Sequence, residues 1–88
     1  MHESSLMVGL VRRLEEIARE HHSQRVVRVK VALGALAQLS PDHLREHFEA
    51  ATCGTAAEGA ELEVRVIEDL ADPRAQSVVL ESAEIEQP

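Results

Sequence analysis

The chain has 88 residues, of which 44% are hydrophobic and only one, Phe48, is aromatic, and it carries a net charge of −7. A chain of this length builds one domain with a modest core of Val, Leu, Ile and Ala, and its single cysteine, Cys53, excludes an intramolecular disulfide and points to a reducing cytoplasm. With no basic patch, no aromatic stacking platform, no apolar run of membrane-spanning length and no leader-like start, neither nucleic acid nor membrane is expected as a partner.

The chain opens Met1-His2-Glu3. A histidine in second place lets the terminal amine, the His2 backbone amide and the His2 imidazole close two chelate rings on one ion. Such an all-nitrogen set suits Ni(II) or Cu(II) in tetragonal geometry. Leu6, Met7, Leu10, Val11, Leu14, Ile17 and Ala18 then recur at helical spacing, with Arg12, Arg13, Glu15, Glu16 and Arg19 on the other face. Ser4 or Ser5 is the expected cap, and the helix should end around His21-His22-Ser23. Val27, Val29, Val31 and Leu33 alternate with Arg28, Lys30 and Ala32, which predicts a half-buried strand closed by Gly34. After a loop over 35–39, Ser40-Pro41 is a cap and first-turn proline. Leu44, Phe48 and Ala51 supply the apolar stripe of a second helix, stopped by Gly54. Leu62, Val64 and Val66 alternate with Glu61, Glu63 and Arg65 in a second strand. Residues 69–76, with Asp72-Pro73, read as a turn, and Val78 to Ile85 as a third strand whose Val78-Val79-Leu80 run breaks alternation as a bulge would. The pattern predicts an α+β domain over residues 1–88, in the order α-β-α-β-β, with two helices on one face of a three-stranded sheet. The short link between the last two strands predicts an antiparallel hairpin.

Charge is unevenly placed, with seven Arg or Lys against six Asp or Glu in residues 1–48 and two against ten in residues 49–88. The acidic half reads as solvated strand faces and a polar tail, against the sharper reading of a surface for metal cations or a basic protein. His43 and His47 lie four apart, a spacing that can bring two imidazoles to one ion, but nothing nearby completes a set, and they read as surface histidines. His21-His22 reads as a structural helix end, and Cys53 as a small buried hydrophobe. No nucleophile–base arrangement, phosphate loop or zinc-protease helix is recognisable, so an enzyme is not expected.

Taken in order, Met1-His2-Glu3-x-Ser5-Leu6, the valine strand ending in Leu33-Gly34, Leu39-Ser40-Pro41, Phe48-Glu49, Gly54-Thr55 and Glu58-Gly59-Ala60-Glu61-Leu62 resemble the HypA/HybF family of hydrogenase maturation proteins, through residues 1–67. Leu80-Glu81-Ser82-Ala83-Glu84-Ile85-Glu86 is similar to the family's closing strand. The resemblance implies a nickel metallochaperone for [NiFe] hydrogenase. It would bind Ni(II) through Met1 and His2, and pass it to the hydrogenase large-subunit precursor with an accessory GTPase. Glu3 is either an added oxygen donor or a favourable first-turn carboxylate, and a homodimer is left open. The family places a four-cysteine zinc module between the last two strands, where this chain has Glu68 to Gln76 with neither Cys nor His, so no zinc is expected. Ala35 and Ser40 depart from family positions that often carry acidic residues, which touches the outer part of a nickel site and not the His2 chelate. The alternative is a metal-independent interaction module, a shortened relative docking on the same maturation partners.

Overall fold

The computed structural model describes the backbone of residues 3–87 and the side chains of residues 5–87. Its elements are α1 (Glu3–Glu20), β1 (Val26–Gly34), α2 (Pro41–Thr52), β2 (Glu61–Ile67) and β3 (Val78–Ile85). The expected α+β class and element order are borne out. Helix α1 buries Met7, Leu10, Leu14 and Ala18, one stripe at helical spacing, and α2 buries Leu44, Phe48 and Thr52. These residues meet Val26, Val29, Val31 and Leu62 from the sheet in a single core, with α1 lying against β3 and α2 against β2.

The helix boundaries follow local chemistry. At the start of α2, the Ser40 side chain accepts a hydrogen bond from the His43 backbone N–H at 3.1 Å, and Pro41 follows in the first turn. Gly54, at φ +77°, takes the left-handed conformation just beyond the helix end. Helix α1 ends as expected, but with His22 in the left-handed position usually given to glycine, at φ 55°. The Ser23 N–H donates to the Ala18 carbonyl at 2.8 Å and the His22 N–H to the Arg19 carbonyl at 3.1 Å, the pair of bonds that closes a Schellman end. Ser4 and Ser5 lie inside α1, so neither is its cap.

The expected β2–β3 hairpin is wrong. The sheet order is β2-β1-β3, with β1 parallel to β2 and antiparallel to β3. Strand β1 takes the centre because it is the most apolar, burying Val26, Val29, Val31, Ala32 and Leu33. A parallel partner needs a crossover, which α2 and its flanking loops provide. The segment 68–77 is longer than a tight hairpin allows. It steps over the C-terminal end of β1, a span of two strand spacings or about 9.6 Å. There the Gly34 N–H donates to the Ser77 carbonyl at 2.8 Å, the Ala35 N–H to the Ile67 carbonyl at 3.0 Å and the Leu36 N–H to the Ala75 carbonyl at 2.8 Å. Within the crossing, Asp69 and Asp72 each accept a backbone hydrogen bond two residues on, from Ala71 at 2.9 Å and Arg74 at 2.8 Å.

The alternation expected in β1 is also displaced. The β1–β3 register slips twice, leaving Val27 extra in β1 and Glu81 extra in β3. The second slip is the bulge expected in the third strand. The first turns Val26 into the core, while Val27 is 41% exposed. Ala32, expected on the solvent side, is fully buried, and Ile67 at the end of β2 and Ala75 in the crossing segment are buried as well.

Candidate metal-binding site

Met1 and His2 lie outside the described residues, and the backbone begins with Glu3 as the first residue of α1. The α1 stripe of Met7, Leu10 and Leu14 is buried, so the helix is packed against the core from its second turn onward. Met7 and Val8 form one wall of a shallow groove, and His47, Ala50 and Ala51 of α2 form the other. On the opposite flank, Ser5, Leu6 and Gly9 face Val78 and Leu80 of β3 across a second groove. The first groove runs along α1 from Met7 to Arg19 beside the second half of α2.

His43 and His47 are brought together on α2. Their Nε2 atoms are 2.9 Å apart, one ring N–H donating to the other ring's nitrogen, and the ring centroids are separated by 4.6 Å at a tilt of 48°. His43 is exposed and His47 half-buried. The four-residue spacing brings the two rings together, and both lie at the surface as the surface reading expects. His21 and His22 do not converge on a common point with them, being at the other end of α1, where they shape the helix end. Cys53 is exposed, against the expectation of burial. Its side chain turns back to donate to the Glu49 carbonyl at 3.4 Å, because the buried position at the end of α2 is taken by Thr52, whose hydroxyl donates to the Phe48 carbonyl at 2.8 Å.

Several carboxylates of the acidic half are paired with arginines. On the sheet face away from the helices, Arg28 lies 3.0 Å from Glu84, 3.4 Å from Glu61 and 3.7 Å from Glu63. The Glu84 charge, then Glu61, holds this guanidinium above its ordinary range. Arg65 reaches across β1 to donate to both carboxylate oxygens of Glu81, at 3.1 and 2.6 Å. Those hydrogen bonds hold the Glu81 carboxyl below its ordinary value. Arg74 does the same to Asp72, chiefly through its side-chain hydrogen bond. Among the described residues no group of three or more His, Cys, Asp or Glu side chains is arranged to hold a metal ion. No helix among them is long and apolar enough to cross a membrane.

Comparison with known proteins gives a consistent answer. Residues 1–83 match the family model described as "Hydrogenase/urease nickel incorporation, metallochaperone, hypA". The hydrogenase maturation factor HypA of Acidithiobacillus ferrooxidans is 47% identical over 64 residues, 73% of this chain and 57% of that protein. HypA of Chlorobium limicola is 42% identical over 67 residues, 76% of this chain and 58% of that protein. The chain thus spans less than three-fifths of the length of these curated relatives. The solution structure of the Ni metallochaperone HypA from Helicobacter pylori superposes with a TM-score of 0.79 at 18% identity, covering 97% of this chain and 97% of that one, which establishes the shared fold.

Proposed function

The chain belongs to the HypA family of nickel-incorporation metallochaperones, and from that premise we propose that it binds Ni(II) as cargo at its N-terminus, through the Met1 amine, the His2 backbone amide and the His2 imidazole. The observation that carries this reading is that the family match begins at residue 1, so that Met1-His2-Glu3 falls within it. The chemistry of the donor set agrees. Three nitrogens in two fused chelate rings favour a tetragonal late first-row ion over Mg(II) or Ca(II), which take oxygen ligands. The amide proton leaves only because the metal replaces it, so binding releases protons and tightens as pH rises. Glu3 opens α1, and its role is either an added oxygen donor to the ion or a favourable first-turn carboxylate.

The ion is then passed to a hydrogenase large-subunit precursor with the help of an accessory GTPase, in a cytoplasmic maturation pathway. The fold supports a domain that folds without zinc, because its core is built from two apolar helix stripes and the sheet. The segment 68–77, which stands where a zinc module would be inserted, is fixed by backbone hydrogen bonds and two aspartate turns. Delivery is tested by supplying the chain to a hydrogenase-producing host that lacks its own HypA. Nickel-dependent hydrogenase activity should return with the native chain and not with His2→Ala. Equal recovery with His2→Ala would favour the metal-independent docking module.

A further inference from the structure

We propose that the outer edge of β2 is a self-complementary surface, which pairs with the same edge of a second copy of this chain. The surface is separate from the nickel reading and does not depend on it. Strand β2 lies at the margin of the sheet, so none of the described strands covers its outer side. The Ile67 carbonyl accepts from the Ala35 N–H and therefore faces β1. Backbone groups alternate in direction along a strand. Those of Glu61, Glu63 and Arg65 thus turn toward β1, and those of Leu62, Val64 and Val66 turn outward. Native sheets blunt such an edge with a bulge, a proline or a lysine. The opposite edge, β3, carries a bulge at Glu81. Strand β2 keeps an unbroken register with β1 from Glu61 to Ile67 and contains neither proline nor lysine.

Charge selects the occupant and the register. In an antiparallel pairing centred on Val64, that residue lies opposite Val64 of the second copy and the two exchange N–H···O bonds, as do Leu62 and Val66 to either side. Glu63 then falls opposite Arg65 of the second copy, twice by symmetry, at a position where Cα atoms approach to about 4.5 Å. Both side chains have room for this contact, with Glu63 no closer than 3.7 Å to Arg28 and Arg65 half exposed beside Glu81. Other centres lose the match. Centring on Glu63 or Arg65 sets that residue against itself, centring on Leu62 opposes Glu61 to Glu63, and centring on Val66 leaves little of the strand paired. The apolar side agrees. Leu62 and Val64 floor a groove beside Phe48 of α2. Val66, 41% exposed in one copy, would enter the groove of the other against Leu62. The pairing is the same on both sides, so it closes at a dimer.

The test is sedimentation equilibrium of the full chain at rising concentration, with backbone amide exchange followed by NMR. The mass should climb from 9.7 kDa toward twice that value. As it does, exchange at the Leu62, Val64 and Val66 N–H groups should slow, while Glu63 and Arg65, already bonded to β1, stay as they were. Glu63→Lys and Arg65→Glu alone should each associate at least about tenfold more weakly, because both opposed pairs become like charges. Mixed together, the two variants should form a mixed dimer, since each offers the charge that the other lacks. Val66→Lys, on a side chain outside the buried core, should lose the dimer with circular dichroism unchanged, which separates failure to pair from failure to fold. A mass of 9.7 kDa at every concentration up to the solubility limit would overturn the pairing. So would a dimer whose slowed amides lie on β3 or a helix, or folded variants that stay apart when mixed. A monomer that protects these amides only on adding an extended peptide would give the edge to another chain, and would overturn it equally.

Discussion

The carbonyl oxygen of Ala75 occupies the space where a side chain on Gly34 would begin, and the Arg74 carbonyl crowds the same point. Glycine is required there for room, since Gly34 is not among the residues with positive φ. The close approach lets the crossing segment hydrogen-bond across the end of β1 and deliver β3 to its far edge. Gly34→Ala should therefore cost about 3 kcal/mol or more, at the upper end for overpacking, because backbone atoms must move. Urea unfolding would measure it, and a loss under about 0.5 kcal/mol, the range of an unremarkable surface change, would contradict the packing described.

Capping makes a smaller and separable prediction. Removing the Ser40 hydroxyl leaves the His43 N–H at the start of α2 without its protein acceptor. Ser40→Ala should cost about 1 kcal/mol in the same assay. It should also loosen the turn that carries His43, visible as faster amide exchange over residues 41–44.

The contrast between these sites shows what could be read from the residues alone. Ser40-Pro41, Gly54 and the apolar stripes of α1 and α2 act over three or four residues, and their elements fall where local pattern places them. The sheet order depends on which strand outcompetes the others for the centre, and no local pattern near Ile67 or Val78 encodes that. Gly34 carried a hint, but a closing glycine and a glycine crossed by another segment look alike in sequence. The exchange of Val26 for Val27 in the core has the same origin, a register slip set by the antiparallel partner. His2 stands out by position and by resemblance, and it lies outside the described residues. The His43–His47 pair was visible as a spacing and needed coordinates to become a distance of 2.9 Å.

Acid should weaken the sheet in a defined direction. Glu81, held by Arg65, has its carboxyl below the ordinary 4.5 in the folded chain, and Asp72, held by Arg74, lies below 3.8. A carboxylate that is more acidic folded than unfolded adds stability above its unfolded pKa. That contribution is lost as pH falls through the folded value. Thermal stability should therefore begin to drop below about pH 4.5, where Glu81 starts to protonate in the unfolded chain. Glu81→Gln should be less stable at neutral pH and show a shallower acid decline, so that the two melting curves converge at the acid end. Parallel curves would show that the Arg65–Glu81 pair contributes nothing.

Dependence on zinc makes the fourth prediction. The core around fully buried Leu14 needs no metal staple, so treatment with a strong chelator should leave circular dichroism and Tm unchanged. Leu14→Ala, which empties that core position, should cost about 2–5 kcal/mol. Stoichiometric zinc in the purified protein, with loss of structure on chelation, would reverse this ordering.

The central claim, that cargo nickel is held by the first two residues, is tested most directly by calorimetric titration of Ni(II) into three proteins: the native chain, His2→Ala, and a chain with one residue added before Met1. Both alterations fall outside the buried core, which begins at Met7, so differences report on the chelate. The native chain should show a high-affinity event that strengthens steeply from pH 6 to pH 8, as protons leave an imidazole and an amine with ordinary pKa values near about 6.5 and about 8. That event should be missing from both altered proteins. The same high-affinity event in either of them, with unchanged pH dependence, would contradict the account.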